Sequence, residues 1–432
     1  MLSGPHGLDD LVIRNARVLD PVEGVDRVLD VRIDGGVISG IGAELPANGH
    51  RVIDAAGLTL APAFVDPHVH LRTPGREDEE TISTGTAAAA AGGYCAVIAM
   101  PNTDPVLDDA DTLRGLRARV AEEATVPVGF LAAITRGLDG ESLTEMGALA
   151  DAGAVGFTDD GRPVASAGMM RRALQYSAVA DRTVAVHCEE PTLTRGGHAH
   201  AGRVAIELGL GGWPSLGESL MVSRDLDLAR DTERPIHLMH LSAAESVEHL
   251  RHAQAAGVRA SAEVTPHHLC LTDEAVRALD PNVKMNPPLR ADDDRAALID
   301  ALRDGAIAAI ATDHAPHSRE EKEVPFESAP FGVIGLETAF AALYTFLVEP
   351  GLLRFETLLE RLSAGPARIF GLERPRIAAG ARANVTLLDT AATWRVEADR
   401  FRSRSANSWL LGASLQGEVR LTIADGRVAF EG

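Results

Sequence analysis

The sequence is poor in lysine, cysteine and aromatic residues. Only two lysines, Lys284 and Lys322, occur among its 432 residues, so nearly all of its permanent cations are arginines. The three cysteines, Cys95, Cys188 and Cys270, form no CxxC pair. Such an odd, sparse set excludes a disulfide framework and indicates a reducing, cytoplasmic setting. Hydrophobic residues make up 45% and aromatics only 4%, so a large core must be built from Ala, Val, Leu and Ile.

The sequence also lacks a recognisable targeting or membrane-spanning segment. Its first residues, MLSGPHGLDD, contain no basic stretch followed by an apolar run, so we expect no signal peptide. The apolar stretch AAAAAGGYCAVIAM contains two glycines and is too short to span a bilayer, which favours a helix end running into a buried strand. A formal net charge of −21 disfavours nucleic acid and membranes as partners, although local cations can still bind an anionic substrate.

Strand-like and helical runs are distributed unevenly along the chain. Both ends read as short strands cut by turns, for example LVIRNARVLD and EVRLTIADGRVAFEG, so the two termini are predicted to form one small β-sandwich. Between them, strand-like runs alternate with Ala-, Leu- and Arg-rich helical runs, which predicts an α/β fold of the (β/α)8 TIM-barrel type. The predicted parts are 1–57 and 371–432 for the sandwich and 58–370 for the barrel. The eight candidate strands are TLAPAFVDPHVH, GYCAVIAMP, PVGFLAAIT, GAVGFTDD, TVAVHCE, PIHLMHLS, RASAEVTPHH and IAAIATDHAPH.

Imidazoles and carboxylates collect at the ends of five of these strands. His68 and His70 are two residues apart on strand one, so both point to the same side. The ends of strands four, five, six and eight supply Asp159-Asp160, His187, His240 and Asp313. The carboxyl ends of barrel strands carry the chemistry of such folds, and imidazole with carboxylate suits Zn²⁺ or a similar transition metal. Six ligands are too many for one tetrahedral zinc and instead suit two bridged metals.

Taken alone, each of these groups could also have a purely structural role. Alone, His187 would be a core histidine, Asp159-Asp160-Gly161 a turn, and Asp313 a helix N-cap. Their joint occurrence at successive strand ends is what favours a metal centre. We interpret His237 as a packing residue, His267 and His268 as neighbours of the site, and the remaining histidines as solvated, namely His6, His50, His198, His200, His249 and His252.

Nine segments resemble one family. They are DPHVHLRTPG, MPNT, FTDDG, HCE, HLS, EVTPHH, KMNPPLR, TDHAPH and PFG. Through them the chain resembles the amidohydrolase superfamily, and specifically the class I dihydroorotases, over essentially its whole length. The HxHLRxPG and KMNPPLR patterns are more specific than the metal ligands, which the whole superfamily shares.

The resemblance implies a reversible hydrolysis of L-dihydroorotate to N-carbamoyl-L-aspartate in pyrimidine biosynthesis. It implies that His68 and His70 hold one Zn²⁺, that His187 and His240 hold a second, and that Asp160 bridges them. Asp313 would be both a ligand and the general base for a metal-activated hydroxide. The implied substrate-binding set is His70, Leu71, Arg72, Asn102, Asn286, His317, Phe331 and Gly332. A homo-oligomer and an aspartate transcarbamoylase partner would also fit the family.

One departure from the superfamily pattern helps to distinguish the dihydroorotase hypothesis from the alternative functions. Many relatives bridge their metals with a carboxylated lysine at the end of strand four, but this chain has no lysine before Lys284. Asp160 fits that position, as in a bacterial branch of the class I enzymes. An allantoinase or dihydropyrimidinase is the nearest alternative, and Arg72 argues against it because a neutral ring needs no carboxylate clamp. An inactive scaffold for a transcarbamoylase is a second alternative, which the presence of all six ligands disfavours.

Overall fold

The computed structural model describes residues 1–5 and 7–432, so His6 lies outside it. Within the described residues, eighteen strands form two large sheets and one short pair. The strands are β1 (Leu11–Asp20), β2 (Val25–Asp34), β3 (Val37–Gly42), β4 (Arg51–Asp54), β5 (Thr59–Pro62), β6 (Phe64–Val69), β7 (Tyr94–Ala99), β8 (Val128–Ala132), β9 (Gly156–Phe157), β10 (Thr183–Val186), β11 (Ala199–His200), β12 (Gly212–Trp213), β13 (Ile236–Leu238), β14 (Ala260–Val264), β15 (Ala309–Ile310), β16 (Val385–Arg395), β17 (Ser414–Ala424) and β18 (Arg427–Glu431).

Helices follow most strands of the central region. They are α1 (Ile82–Ala91), α2 (Ala110–Glu123), α3 (Met146–Ala152), α4 (Ala167–Ala180), α5 (Pro191–Thr194), α6 (Arg203–Leu208), α7 (Leu216–Thr232), α8 (Ala244–Ala255), α9 (Pro266–Cys270), α10 (Asp292–Asp304), α11 (Arg319–Lys322), α12 (Ala339–Leu343), α13 (Phe355–Leu362) and α14 (Ala364–Ile369). Local chemistry defines several ends: Asp109 caps α2 through its side chain, and the left-handed Gly305 ends α10. None of the helices among the described residues is both long and apolar enough to cross a membrane.

The central sheet is a nearly closed parallel barrel. Its strand order is β6-β7-β8-β9-β10-β13-β14-β15, and all seven pairings are parallel. The first and last strands approach each other beyond β15, where the His70 amide donates to the His314 carbonyl at 2.9 Å. The predicted (β/α)8 fold class is therefore confirmed, and all eight candidate runs contain a barrel strand.

The terminal strands form one mixed sheet beside the barrel. Its order is β18-β17-β16-β5-β1-β2-β3, with β4 added in parallel to β1, so strands from both chain ends pair with each other as predicted. An aliphatic cluster fills this sheet, with Leu11, Ile33, Leu60, Leu387 and Leu421 among its members. Burying such side chains contributes about 1.5–3 kcal/mol each, which binds the two ends of the chain together.

The run TLAPAFVDPHVH, predicted as one strand, is two. Residues Thr59–Pro62 form β5, which pairs with β1 and β16 in the terminal sheet, whereas Phe64–Val69 form β6 of the barrel. The amide of Ala63 donates to the Asn384 carbonyl at 3.0 Å, just where the chain leaves one sheet for the other. The strand that carries the first histidines is therefore anchored directly in the terminal sheet.

Candidate metal centre

The six predicted ligands converge at the carboxyl end of the barrel. His68 lies on β6, and the others directly follow β6, β9, β10, β13 and β15. All six are at most 8% exposed, namely His68, His70, Asp160, His187, His240 and Asp313. Two overlapping groups, His68/Asp160/His240 and His68/His70/Asp313, each place three donor atoms within 4.8 Å of one another. Buried His/Asp groups of this kind indicate a binuclear metal site.

Asp160 lies in the middle of the four imidazoles. Its Oδ1 is 3.6 Å from His68 Nε2, 3.8 Å from His187 Nδ1 and 3.7 Å from His240 Nε2. Its Oδ2 is 3.5 Å from His70 Nε2. Its Oδ1 thus lies near three rings and its Oδ2 near the fourth, so this one carboxylate is close to all four imidazoles.

Asp313 lies on the side of the His68/His70 pair. Its Oδ1 is 3.1 Å from His70 Nε2 and 3.4 Å from His68 Nε2. Burial alone would raise the pKa of this carboxyl, but the facing His68 and His70 imidazoles overcome burial and hold its pKa below the ordinary value. The residue therefore presents an ionised oxygen toward the centre of the site.

Two observations test whether a cation fits here. The Nε2 atom of His68 is buried and has no hydrogen-bond partner among the described residues, although it points at Asp160 and Asp313. His187 Nδ1 and His240 Nε2 face each other at 2.9 Å. Neutral imidazoles offer lone pairs at such atoms, and buried polar atoms require partners. The donor set and its unpartnered nitrogen fit a transition metal.

Buried groups behind the histidines fix which ring nitrogen faces the centre. His68 Nδ1 contacts Glu263 Oε1 at 2.8 Å, and the other Glu263 oxygen lies 3.0 Å from His237 Nε2. Burial opposes the charge on Glu263, but hydrogen bonds from His237 and His68 lower its pKa to about 2. An ionised Glu263 accepts the Nδ1 proton of His68 and leaves Nε2 free for a metal. His237, interpreted from the sequence as a packing residue, therefore belongs to the hydrogen-bond chain His237–Glu263–His68.

Hydrogen bonds also fix the orientations of His70 and His187, two of the other three candidate ligand histidines. His70 Nδ1 donates to Asn102 Oδ1 at 2.9 Å, which leaves its Nε2 facing the carboxylates. His187 Nε2 donates to Glu189 Oε2 at 3.0 Å, which leaves its Nδ1 facing Asp160. Asn102 also donates to Asp160 Oδ2 at 3.4 Å, so its amide links two of the predicted ligands.

Two neighbouring aspartates support the frame rather than the centre. Asp159 accepts hydrogen bonds from the amides of Ile134 and Thr135 at 2.7 and 3.0 Å, so it points away from Asp160. Asp66 accepts from the amides of His68 and Thr312 at 3.1 and 3.2 Å and joins strand one to strand eight. Burial raises the pKa of Asp159 to about 6 and that of Asp66 to about 7.

The backbone is strained at the same edge of the barrel. Arg72, His240 and Asp313 have φ values of 54°, 32° and 48°, in the left-handed region that side chains other than glycine rarely adopt. Such positions cost about 1–3 kcal/mol each and persist where the surroundings impose them, most often at functional sites. Three of them among the predicted site residues support this edge as the functional one.

The predicted substrate-binding residues surround the metal candidates. Arg72 lies beyond β6 and its side chain is 14% exposed. One of its terminal nitrogens is 3.4 Å from His317 Nε2, and His317 Nε2 lies 2.8 Å from the Phe331 carbonyl. Asn286 donates to Glu189 at 3.2 Å, while its carbonyl oxygen is buried and has no partner among the described residues. The Leu71 side chain packs in the barrel core, so only its backbone is left to face a ligand.

The loop that carries Phe331 and Gly332 is held by both lysines of the chain. Lys284 Nζ donates to the carbonyls of Phe326, Glu327 and Ala329 at 2.7–2.9 Å. Lys322, in the helical turn α11, donates to the carbonyls of Pro281 and Pro330, both at 3.0 Å. Gly332 has a φ of 119°, and a Cβ there would lie 2.7 Å from the Ala315 Cβ, so this turn requires glycine.

Sequence reasoning missed the charged residues behind the site. Glu189 had a usable signal, because it follows His187 by two residues. Glu263 lies near the end of the seventh candidate strand, in the segment EVTPHH, so its position also indicated the barrel mouth. Glu79 had no such signal, since it lies within the charged run REDEE of a connecting loop.

The chain is similar to known proteins over nearly its whole length. A family model described as "Dihydro-orotase-like" matches residues 57–246. A dihydroorotase from Pelotomaculum thermopropionicum is 45% identical over 421 residues, covering 98% of each chain. One from Geotalea daltonii is 46% identical over 424 residues, covering 98% of this chain and 99% of that one. The L-hydantoinase (dihydropyrimidinase) from Arthrobacter aurescens matches with a TM-score of 0.88 at 26% identity, covering 98% of this chain and 96% of that one.

Proposed function

The chain belongs to the dihydroorotase family, and we propose that its buried histidines and aspartates form a two-zinc centre for the reversible hydrolysis of L-dihydroorotate to N-carbamoyl-L-aspartate. The reaction serves de novo pyrimidine biosynthesis. The observation that carries the proposal is the position of Asp160, which lies within 3.8 Å of four imidazole nitrogens.

In this proposal His68, His70 and Asp313 hold one metal, His187 and His240 hold the other, and Asp160 bridges them. The chain would thus belong to the class I branch that uses aspartate where relatives carry a carboxylated lysine. Both lysines support this assignment, because each is engaged with backbone carbonyls of the 281–330 region. When bound, such metals lower the pKa of a water molecule and polarise a carbonyl.

Asp313 is the proton carrier of the proposed reaction. Its Oδ1 takes the proton of the attacking water and delivers it to the ring nitrogen that leaves the carbonyl. In the direction of ring closure, the same carboxylate takes the proton of the attacking ureido nitrogen and delivers it to the departing hydroxide, which leaves as water. Its position beside His68 and His70 supports this role, since a proton acceptor must lie within reach of the reacting atoms.

Arg72, His317, Asn102 and Asn286 would bind the substrate, together with His70 and the backbone of Leu71, Phe331 and Gly332. Arg72 is the group that distinguishes a carboxylated ring from a neutral one, because its guanidinium can bind a carboxylate with two parallel hydrogen bonds. The unpartnered carbonyl oxygen of Asn286 is available to accept a ring N–H.

The test is a substrate panel on metal-loaded enzyme. Dihydroorotate, allantoin, dihydrouracil and hydantoin are offered separately to the wild type and to Arg72→Leu. We expect turnover of dihydroorotate alone by the wild type, and a loss of about 2–5 kcal/mol in its transition-state stabilisation in the variant. Preferred turnover of a neutral ring would instead favour a hydantoinase-like activity. Near-normal use of dihydroorotate by Arg72→Leu would remove Arg72 from substrate recognition.

We also propose a cytoplasmic homo-oligomer, a division of the chain at residues 57/58 and 370/371, and docking to an aspartate transcarbamoylase. Exposed leucines on and beside α7, Leu216 and Leu220, offer apolar surface for such contacts. Light scattering after gel filtration, with and without the transcarbamoylase, tests both kinds of association. A protein that stays monomeric and does not bind the transcarbamoylase would contradict both proposed associations.

A further inference from the structure

A buried carboxylate outside the proposed site joins two of its substrate-binding side chains. Glu79 lies in the loop between β6 and α1 and is 1% exposed. Its Oε2 forms an ion pair with Arg72, 3.0 Å from the Nε atom, and its Oε1 accepts a hydrogen bond from His317 Nδ1 at 3.1 Å. Arg72 follows the first barrel strand and His317 the last, so one carboxylate spans the junction between them.

We propose that Glu79 is the positioning residue for substrate recognition, which aims Arg72 and His317 at the substrate carboxylate. The inference rests on the proposed function, because it takes Arg72 and His317 as the groups that bind that carboxylate. Glu79 itself has no path to the reacting atoms in this account and acts only through its two partners.

The contacts of Arg72 leave most of its terminal N–H donors available, since one terminal nitrogen only approaches His317 Nε2 at 3.4 Å. Its Nε–H donates to the Pro316 carbonyl at 3.1 Å, and the Glu79 carboxylate lies 3.0 Å from the same nitrogen as an ion-pair partner. A guanidinium is planar and carries five N–H donors, so fixing the Nε edge sets the plane in which both terminal nitrogens lie. These nitrogens are the pair that binds a carboxylate side by side. Without Glu79, the buried guanidinium would lose the only carboxylate that lies within ion-pair distance of it among the described residues.

The ring of His317 is held by the same group. Its Nδ1 lies 3.1 Å from both Glu79 Oε1 and Glu321 Oε2, and its Nε2 lies 2.8 Å from the Phe331 carbonyl. The ring therefore connects Glu79 to the loop that presents Phe331. Glu79 is the buried member of the two carboxylates, since the Glu321 side chain is 33% exposed. Charges in the less exposed position are screened less by water and hold their partners more firmly.

A metal is the rival occupant of this cluster. Donor atoms of Glu79, His317 and Glu321 lie within 4.8 Å of one another. The Arg76 guanidinium, however, donates to Glu79 at 3.1 Å and to Glu321 at 2.7 Å. A cation already bridges the two carboxylates, so the geometry favours an ion-pair network over a third metal.

The experiment compares Glu79→Gln with Asp78→Asn. Glutamine keeps the size of the side chain but turns an amide N–H₂ toward donors. We expect the KM for dihydroorotate to rise about tenfold to 100-fold, the effect of losing a hydrogen bond to a charged group, while kcat stays within about threefold. Metal content should equal that of the wild type. Asp78 is the matched control, because it neighbours Glu79, its side chain is 62% exposed, and among the described residues that side chain pairs with the exposed Arg76 alone; its variant should keep wild-type kinetics.

Inhibition and a double variant separate positioning from a general structural role. Orotate carries the carboxylate and uracil does not, so Glu79→Gln should weaken inhibition by orotate and leave any inhibition by uracil unchanged. In an Arg72→Leu background, adding Glu79→Gln should raise KM less than it does in the wild type, because only the route through His317 remains. Equal weakening of both inhibitors, independent effects on KM, or a fall in metal content would overturn the proposal.

Two further outcomes are decisive. If Glu79→Gln does not fold, Glu79→Asp keeps the charge but shortens its reach, and wild-type KM in that variant would overturn the proposal. If the wild type fails to turn over dihydroorotate, the proposed function fails first. If the wild type is active and Arg72→Leu is impaired while Glu79→Gln is not, only the role of Glu79 fails.

Discussion

The mouth of the barrel, at the carboxyl ends of its strands, buries very different side chains from those inside the terminal sheet. At the mouth, four imidazoles and several carboxylates are packed within a few ångströms of one another, with left-handed backbone at His240 and Asp313. The terminal sheet is filled by a cluster of aliphatic residues such as Ile33 and Leu387. Polar groups are costly to bury unless partners satisfy them, whereas aliphatic burial is favourable by itself. Changes at the mouth should therefore affect chemistry more than stability, and changes in the terminal sheet should do the reverse.

The largest effect is expected for Asp313→Asn at the barrel mouth. Asparagine has nearly the same shape but cannot carry the proton, so kcat should fall about 10²-fold to 10⁴-fold in both directions. The fold should persist, because the surrounding partners remain. Initial rates in each direction, together with a thermal unfolding curve, check both statements. A variant with near-normal rates would leave Asp313 a ligand only.

Leu387→Ala should produce the opposite result in the terminal sheet. Leu387 is 2% exposed and pairs with Leu60 and Leu421 on the neighbouring strands. Its truncation should lower the free energy of unfolding by about 2–5 kcal/mol, while kcat per folded molecule stays unchanged. Urea unfolding and active-site titration measure the two quantities separately. A large fall in kcat at unchanged stability would break the contrast between the two regions.

Lys284→Met should have a smaller and mixed effect, because this residue holds a loop of the mouth. Methionine fills the space of the aliphatic stem but leaves three carbonyls without their ammonium donor. We expect a loss of about 1.5–3 kcal/mol in stability, faster proteolysis near residues 323–330 and a higher KM. Arg319→Met, at an exposed position, is the control. Equal changes in stability, proteolysis and KM in that variant would show that Lys284 does not hold this loop.

The smallest effect concerns the contact between the two regions. Glu337 follows the last barrel strand and accepts hydrogen bonds from the amides of Arg402 and Ser403 in the C-terminal segment at 2.9–3.1 Å. Burial raises its pKa from 4.5 to about 7. The folded state therefore binds the proton more tightly, so the contribution to stability is present below pH 4.5 and is lost as pH rises through about 7.

Glu337→Gln should remove this pH dependence. Between pH 5 and pH 8 the wild type should lose about 2 kcal/mol of stability that the variant retains, since the pKa rises from 4.5 to about 7, at about 1.4 kcal/mol per pKa unit, and partial solvent exposure reduces that effect. Urea midpoints at both pH values measure the difference. Parallel curves for the two proteins would show that Glu337 does not titrate in this range.

Much of the fold and of the metal centre was predictable because both follow from local patterns. Alternating strand-like and helical runs indicated the barrel, and the spacing of His68 and His70 placed both on one side of a strand. The choice of Asp160 over Asp159 depended on a family resemblance, because spacing alone treats the two alike. The structure separates them physically, since Asp159 is occupied by the amides of Ile134 and Thr135.

The contacts of the supporting residues could not be predicted, because their partners are distant in sequence. Glu263 contacts His68 and Glu79 contacts His317, pairs separated by 195 and 238 residues. The sequence of a charged loop does not indicate which of its carboxylates will be buried in the folded barrel. The split of TLAPAFVDPHVH was missed for the same reason, since β5 is defined by pairing with β16, more than 300 residues later.

The two-metal centre at Asp160 is tested most directly by measuring metal content and activity on the same samples. Elemental analysis of purified wild type should find up to two transition-metal ions per chain, and chelation should abolish turnover of dihydroorotate. Asp160→Ala should lose metal and activity together, whereas Asp159→Asn, changed at the neighbour that points away, should retain its metal. Active enzyme without a transition metal, or an Asp160→Ala protein that keeps both metal and activity, would contradict the account.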